Sequence, residues 1–104
     1  MKYITLACAA GMSTSALVKR MQDAAREQGI DADIHAESVE DVSKDLGNTQ
    51  VLLLGPQVRY RLKEIQDICG PKGIPVAVIN SLDYGMMDGK KVLKSALDML
   101  EEGK

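Results

Sequence analysis

The chain has 104 residues, of which 45% are hydrophobic and 27% are charged, an ordinary mixture for one soluble globular domain, and we expect residues 1–104 to form a single domain. Its net charge is −2, and its few arginines are dispersed without aromatic neighbours, which argues against a nucleic-acid surface. One His and two Cys do not make the usual zinc-binding sets, so neither metal nor cofactor is expected. No stretch approaches the ~20 apolar residues of a membrane-spanning helix, so direct membrane insertion is not expected.

The first half of the chain alternates between strand and helix patterns. An apolar run with β-branched residues at 3–7 predicts a buried strand. Apolar residues at helical spacing over 17–25 predict an amphipathic helix, which Gly29 ends. Strict alternation over 32–37 predicts an edge strand. Ser38, followed three residues later by an acidic residue, resembles a capping box that begins a short helix.

The second half repeats the alternation. Val51–Leu54 is apolar on both faces, which indicates a central strand covered by helices on each side. The seam of Val58, Leu62, Ile65 and Cys69 predicts a third helix. Residues 75–79 predict a fourth strand, and a last helix is expected from Asp88 onward.

Four strand–helix repeats predict an α/β fold: a four-stranded open parallel sheet with helices on both faces and the first strand near its centre, in a flavodoxin-like order. In such sheets the ligand site lies beyond the carboxyl ends of the strands. Three segments are expected to meet there, namely residues 8–15, 55–57 and 80–85.

The segment after the first strand carries the strongest chemical signal. Cys8 is followed by small residues and hydroxyls that lead into a helix, whose unpaired N–H groups and dipole attract an anion such as phosphate. A cysteine at this position lies in the same field, which favours the nucleophilic thiolate. The alternative is a buried strand-end cysteine with serines that only cap the helix. The candidate phosphate-binding residues are Ala9, Ala10, Gly11, Met12, Ser13, Thr14 and Ser15.

Three segments resemble one known family. The motif Cys-x-x-Gly-Met-Ser-Thr-Ser from Cys8, together with Leu54-Gly55-Pro56-Gln57 and Asn80-Ser81-Leu82-Asp83-Tyr84-Gly85, is similar to the enzyme IIB component of the lactose/chitobiose (cellobiose-type) sugar phosphotransferase system. The likeness runs from the first strand through Leu100. The resemblance implies a fold similar to the N-terminal part of low-molecular-weight tyrosine phosphatases.

The resemblance also implies a cytoplasmic phosphocarrier. Cys8 would receive a phosphoryl group from a phosphohistidine of enzyme IIA, while the loop from Ala9 to Ser15 cradles the phosphate. The group would then pass to a β-linked disaccharide entering through the membrane permease, enzyme IIC. Only a few apolar residues precede Cys8, fewer than the 7–15 of a signal peptide, which agrees with a cytoplasmic location.

The main alternative is a hydrolase similar to the low-molecular-weight tyrosine phosphatases, which also place a Cys-led phosphate loop after the first strand. Their motif has an arginine six residues past the cysteine, where this chain has Thr14. An arginine fork stabilises the transferring phosphoryl group, so its absence argues for a carrier. Asp83 occupies the region of the phosphatase general acid and keeps this alternative open. A thiol reductase is disfavoured because Cys69, the other cysteine, falls on an apolar helix seam, where we expect it to be a core residue.

Further residues are expected around the rim of the site. Gln57 either donates a hydrogen bond to phosphate or caps the third helix, and the phenol of Tyr84 is a second candidate donor. Apolar side chains in the late loop suit docking on more than one partner, although they can also simply cover the sheet end. The candidate rim residues are Gln57, Leu82, Asp83, Tyr84 and Met86, with Met87 beside them. His35, the only histidine, is expected on the edge strand, away from the site.

Overall fold

The computed structural model describes residues 1–9 and 14–102. Four strands alternate with helices, and a 3₁₀ helix (Pro56–Arg61) precedes the third α-helix. The strands are β1 (Lys2–Cys8), β2 (Ala32–Ser38), β3 (Val51–Leu54) and β4 (Val76–Val78). The helices are α1 (Thr14–Glu27), α2 (Val39–Lys44), α3 (Leu62–Cys69), α4 (Ser81–Gly85) and α5 (Gly89–Glu102).

The strands form one parallel sheet in the order β2-β1-β3-β4. β1 pairs with β2 along its whole length and with β3 on its other side, so the first strand is central and β2 lies at the edge, as predicted. Within the residues that the structure describes, this is the flavodoxin-like order without a fifth strand. All strands being parallel, their carboxyl ends lie at one edge of the sheet.

Two hydrophobic cores cover the two faces of the sheet. Ile4 and Leu6 of β1 pack with α1 and α5 on one face, whereas Leu52 and Leu54 of β3 pack with α2 and α3 on the other. All four side chains are inaccessible to solvent. The predicted covering of β3 on both faces is therefore confirmed, and aliphatic residues build both cores without Phe or Trp.

Turn and cap residues act as the sequence indicates at two positions. Ser38 Oγ accepts a hydrogen bond of 3.1 Å from the backbone N–H of Asp41 and so caps α2. Gly29 follows α1 with φ of 69°, a left-handed conformation that glycine adopts without strain. None of the described helices is long and apolar enough to cross a bilayer.

The structure differs from the expectation in the two late connections. Residues 81–85, expected as loop, form α4, because Asn80 Oδ1 accepts hydrogen bonds from the backbone N–H groups of Leu82 and Asp83 and so starts a helix. The third helix begins as a 3₁₀ helix over residues 56–61 and becomes an α-helix only at Leu62. Both helices follow directly on a strand at the carboxyl edge of the sheet.

One glycine sets the distance between α1 and α5. A Cβ atom at Gly89, the first residue of α5, would lie 2.6 Å from the carbonyl carbon of Arg20 and 2.7 Å from the backbone nitrogen of Met21. Both atoms belong to the backbone of α1 and cannot turn away as a side chain would. The two helices therefore pack as closely as they do only because position 89 has no side chain.

We expect Gly89→Ala to lower the free energy of unfolding by about 1–3 kcal/mol, since one helix must move to relieve the overlap. Urea denaturation followed by circular dichroism measures this. Gly70→Ala is the matched control, because φ there is −53° and a Cβ atom would meet nothing within 4 Å. Equal stabilities of the two variants would show that the contact imposes no constraint.

Candidate functional site

Cys8 is the last residue of the central strand and lies at the carboxyl edge of the sheet. Its side chain is buried, with 7% of the residue exposed. The backbone N–H of Gly55, just beyond β3, donates a 2.8 Å hydrogen bond to the carbonyl of Ala7. A Cβ atom on Gly55 would stand 3.6 Å from the Cβ atom of Cys8, so the chain leaving β3 passes directly beside the cysteine.

The predicted phosphate loop joins Cys8 to the start of α1. Ala9 is half-buried, α1 begins at Thr14, and the side chain of Ser15 is exposed in its first turn. The candidates Ala10, Gly11, Met12 and Ser13 lie outside the described residues. The first N–H groups of a helix lack partners within it and carry partial positive charge, so the amino end of α1 presents an electropositive edge six residues after the cysteine. Phosphate binding by this loop stays a prediction.

Gln57 and Tyr84, which follow two different strands, are brought together. The Nε2 amide of Gln57 donates a 2.8 Å hydrogen bond to the Tyr84 hydroxyl, joining the 3₁₀ helix to α4. The alternative that Gln57 caps the following helix is wrong, because Gly55 is the N-cap there and no side chain makes a capping hydrogen bond. The other amide atom, Oε1, is buried, and no donor from the described part of the chain reaches it.

The apolar rim residues fall into two groups. Leu82 in α4 and Met86, the C-cap residue of that helix, are each 67% exposed, although Leu and Met are among the residue types most often buried. Met87 instead is half-buried and packs on the α1–α5 core, with φ of 52°. Of the two alternatives for the late methionines, Met87 covers the end of the core, while Met86 is available for contact. Asp83 is half-buried, and its backbone N–H takes part in the cap of α4.

Tyr60 is an exposed aromatic residue that the sequence analysis missed. It lies in the 3₁₀ helix and is 77% exposed, the most exposed of the large apolar residues that the structure describes. The sequence did contain a signal for this exposure, because Tyr60 does not belong to the apolar face formed by Val58, Leu62 and Ile65. An aromatic residue on the polar side of a helix is typical of a contact surface.

Arg61, in the same helix, is committed to contacts within the chain. Its guanidinium binds Glu64 through two hydrogen bonds of 2.8 and 2.7 Å and also binds Glu40 of α2. These bonds raise the pKa of Arg61, and the Arg61 hydrogen bond lowers the pKa of Glu64 below its ordinary value. Of the two arginines in this 3₁₀ helix, Arg59 is the one whose charge is exposed and can contact an outside partner.

The second cysteine has the structural role that the sequence predicts. Cys69 is fully buried in the core between the sheet and α2 and α3, and neither cysteine forms a disulfide. Burial raises the pKa of the Cys69 thiol, opposed in part by the charge of Lys72. His35 lies on edge strand β2, half-buried between Asp33 and Glu37. Within residues 1–9 and 14–102, no three His, Cys, Asp or Glu side chains are placed to hold a metal ion.

A parallel α/β fold with a cysteine at the end of its central strand matches one family model. Residues 3–95 match the lactose/cellobiose-specific IIB subunit of the PTS system, and the chain belongs to this family of sugar-transport phosphotransferase components. It is 48% identical over 104 residues to the galactose-specific EIIB component of Lactococcus lactis subsp. cremoris, covering 95% of this chain and 96% of that one. It is 47% identical, with the same coverage, to the cellobiose-specific EIIB component of Lactococcus lactis subsp. lactis.

Solved structures agree with this membership. The solution structure of the cellobiose-specific phosphotransferase IIB component of Borrelia burgdorferi superposes with a TM-score of 0.81 at 41% identity, covering 99% of this chain and 94% of that one. The lactose-specific IIB domain of Streptococcus pneumoniae superposes with a TM-score of 0.85 at 17% identity, covering 94% and 96%, which shows the shared fold. The expected family and fold are thus confirmed, and membership argues against the phosphatase alternative.

The buried Cys69 thiol makes the free energy of unfolding depend on pH in the alkaline range. A raised pKa means that the folded state holds its proton longer than the unfolded state, so this contribution is complete below about pH 8.5 and is lost as pH rises beyond it. We expect the stability difference between the wild type and Cys69→Ala to be constant from pH 6 to 8 and to shrink at higher pH.

Urea titrations across this pH range measure the effect. Val58→Ala, which removes apolar volume from the same core but no ionisable group, is the control and should keep a constant difference. A Cys69→Ala difference that stays equally constant up to pH 10 would contradict the assignment.

Proposed function

We propose that this chain, as one IIB domain over residues 1–104, carries a phosphoryl group on Cys8 in the cytoplasm. The donor is a phosphohistidine of enzyme IIA, and the acceptor is a β-linked disaccharide of the cellobiose, chitobiose or lactose type that enters through enzyme IIC. The observation that carries the proposal is the position of Cys8, at the carboxyl end of the central strand and at the head of the loop leading to the amino end of α1.

The chemistry consists of two phosphoryl transfers. In the first, the Cys8 thiolate attacks phosphorus, an S–P bond forms, the N–P bond breaks, and the histidine nitrogen keeps the electron pair. In the second, a sugar hydroxyl attacks the phosphocysteine, an O–P bond forms, the S–P bond breaks, the sulfur leaves as thiolate, and the hydroxyl proton is released to solvent. Loop amides and short hydroxyls from Ala9 to Ser15 bind the phosphoryl oxygens between the two steps.

A carrier needs a phosphocysteine that survives until its acceptor arrives. Thr14 stands where a phosphatase loop has an arginine, and a hydroxyl does not supply the bidentate charge that accelerates hydrolysis. The near burial of Cys8 supports the same function, since it limits the access of water to the sulfur. We therefore propose transfer between proteins and sugar rather than hydrolysis.

The names of the relatives point to more than one sugar. Two relatives nearly half identical to this chain are named for galactose and for cellobiose, and an EIIB component of Bacillus subtilis, 39% identical with 96% and 97% of the chains covered, is named for oligo-β-mannosides. A domain whose close relatives serve different sugars supports a division of labour in which the permease selects the sugar and this domain supplies the phosphoryl group.

We expect Cys8→Ser to abolish phosphoryl acceptance while the fold is retained, because the change is nearly isosteric. Intact-mass analysis after mixing with phosphorylated enzyme IIA measures the gain of one phosphate. Cys69→Ser is the control, which should accept phosphate but lose about 1–3 kcal/mol of stability from a buried hydroxyl. Phosphate on Cys69 or His35 would show that the proposed site is wrong.

The exposed apolar residues at the carboxyl edge support docking of the partner proteins there. Leu82 and Met86 follow β4, at the same edge of the sheet as Cys8, and the exposed Tyr60 follows β3. A partner must bring its phosphohistidine to this edge, and adaptable apolar side chains around the site suit contact with two partners in turn.

We expect Leu82→Glu or Met86→Glu to slow transfer from enzyme IIA by about tenfold or more, because a charge is then buried in the contact. Rapid quench-flow followed by intact-mass analysis measures the rate of phosphoryl transfer. Gln28→Glu adds the same charge at the opposite edge of the sheet and should have no effect. Reaction of Cys8 with iodoacetamide should stay at the wild-type rate in all three variants, and a parallel loss of both reactions would indicate a folding defect instead.

A further inference from the structure

The carboxamide of Gln57 has one satisfied end and one unsatisfied end. Nε2 is held by the Tyr84 hydroxyl at 2.8 Å, while Oε1 is buried and meets no donor among the residues that the structure describes. Leaving a buried acceptor unpaired destabilises the folded state, so such an atom usually has a partner in a functional state of the protein.

The unsatisfied end lies beside the cysteine. A Cβ atom placed on Gly55 would overlap Oε1 of Gln57 and would at the same time contact the Cβ atom of Cys8 at 3.6 Å. Gln57 Oε1 and the side chain of Cys8 are therefore neighbours across the same glycine. The absence of a side chain at Gly55 leaves the space in which the amide lies.

The Tyr84 hydroxyl allows the amide to be used in two orientations. A phenol both accepts and donates hydrogen bonds, so it can accept from Nε2, as observed, or donate to Oε1 once the amide plane has turned over. In the first orientation the inner end of the amide is an acceptor, and it has no donor in the described part of the chain. In the second the inner end is an N–H donor, which suits a thiolate or a phosphoryl oxygen.

The position of Tyr84 is itself fixed by backbone hydrogen bonds. Its N–H donates to the carbonyl of Asn80 at 2.9 Å, in the same short helix that the Asn80 side chain caps. On the other side, Pro56 begins the 3₁₀ helix that carries Gln57, at a position where proline loses no hydrogen bond. Both ends of the Gln57–Tyr84 bond are therefore held by structured elements.

We infer that Gln57 is a side-chain hydrogen-bond partner of the reacting Cys8 sulfur: its amide turns over and donates from Nε2 to the thiolate or to the phosphoryl group. Tyr84 is the positioning residue that holds the amide in both orientations. The phosphoryl part of this inference rests on the proposed function, whereas the part that concerns the thiolate does not.

Alkylation of Cys8 by iodoacetamide tests the inference without any partner protein. The reaction consumes thiolate, and Cys8 and Cys69 are distinguished by the masses of their peptides. Gln57→Met, similar in length but without a donor, should react about tenfold more slowly at pH 7, because a hydrogen bond to a charged group is worth at least that factor. Gln57→Glu should react more slowly still, because a carboxylate repels the thiolate.

The pH profile separates a lost hydrogen bond from altered access. If Gln57 stabilises the thiolate, the deficit of Gln57→Met disappears at alkaline pH, where the thiol is ionised in both proteins. A deficit that persists unchanged at alkaline pH would mean blocked access and would overturn the inference. A Gln57→Glu protein that reacts as fast as wild type would also overturn it, because the inner end would then act only as an acceptor.

Three further variants complete the test. Gly55→Ala keeps the amide but displaces it, and φ of −62° tolerates the new residue, so the same deficit is expected. Tyr84→Phe should give a smaller deficit of the same kind. Gln66→Met on the exposed side of α3 is the control and should match wild type. Normal alkylation profiles in the Gln57 variants would refute the inference even if Cys8 accepts phosphate. Altered alkylation profiles together with a Cys8 that accepts no phosphate would refute only the proposed function.

Discussion

The double pairing of β1 is the constraint on which the rest of the structure depends. This strand bonds to β2 on one side and to β3 on the other, and its apolar side chains are buried on both faces of the sheet. Parallel pairing brings the carboxyl ends of the strands to one edge, so the chain must place its connections there in a fixed order. This pairing fixes the position of Cys8, because Cys8 is the last residue of a strand that pairs on both sides.

The elements with strong hydrophobic periodicity could be predicted from the sequence, because the spacing of their apolar residues indicates which faces are buried. Val51–Leu54 shows apolar residues on both faces and is covered on both, and Gly29 ends α1 in the left-handed conformation that its type allows. The connections between these elements were harder to predict. α4 is only five residues long and depends on one Asn80 cap, a signal too local to compete with the loop-like composition around it.

The candidate site was predictable to the extent that it depends on sheet topology. The convergence of residues 55–57 and 80–85 on the cysteine follows from the parallel order, and the motif from Cys8 indicated the family. The Gln57–Tyr84 bond was not predictable, because side chains 27 residues apart meet only once both helices are oriented. The exposure of Tyr60 and the burial of Met87 likewise depend on helix orientation rather than on residue type.

The aliphatic composition of the cores has an optical consequence. The chain contains no tryptophan and only three tyrosines, so its near-ultraviolet absorption and emission come from those phenols alone. Tyr3 lies at the amino end of β1, Tyr60 is largely solvated, and Tyr84 is half-buried with its hydroxyl bonded at the site. Phenol spectra respond to hydrogen bonding at the oxygen. The protein therefore carries an intrinsic chromophore one side chain away from Cys8, with no stronger fluorophore to obscure it.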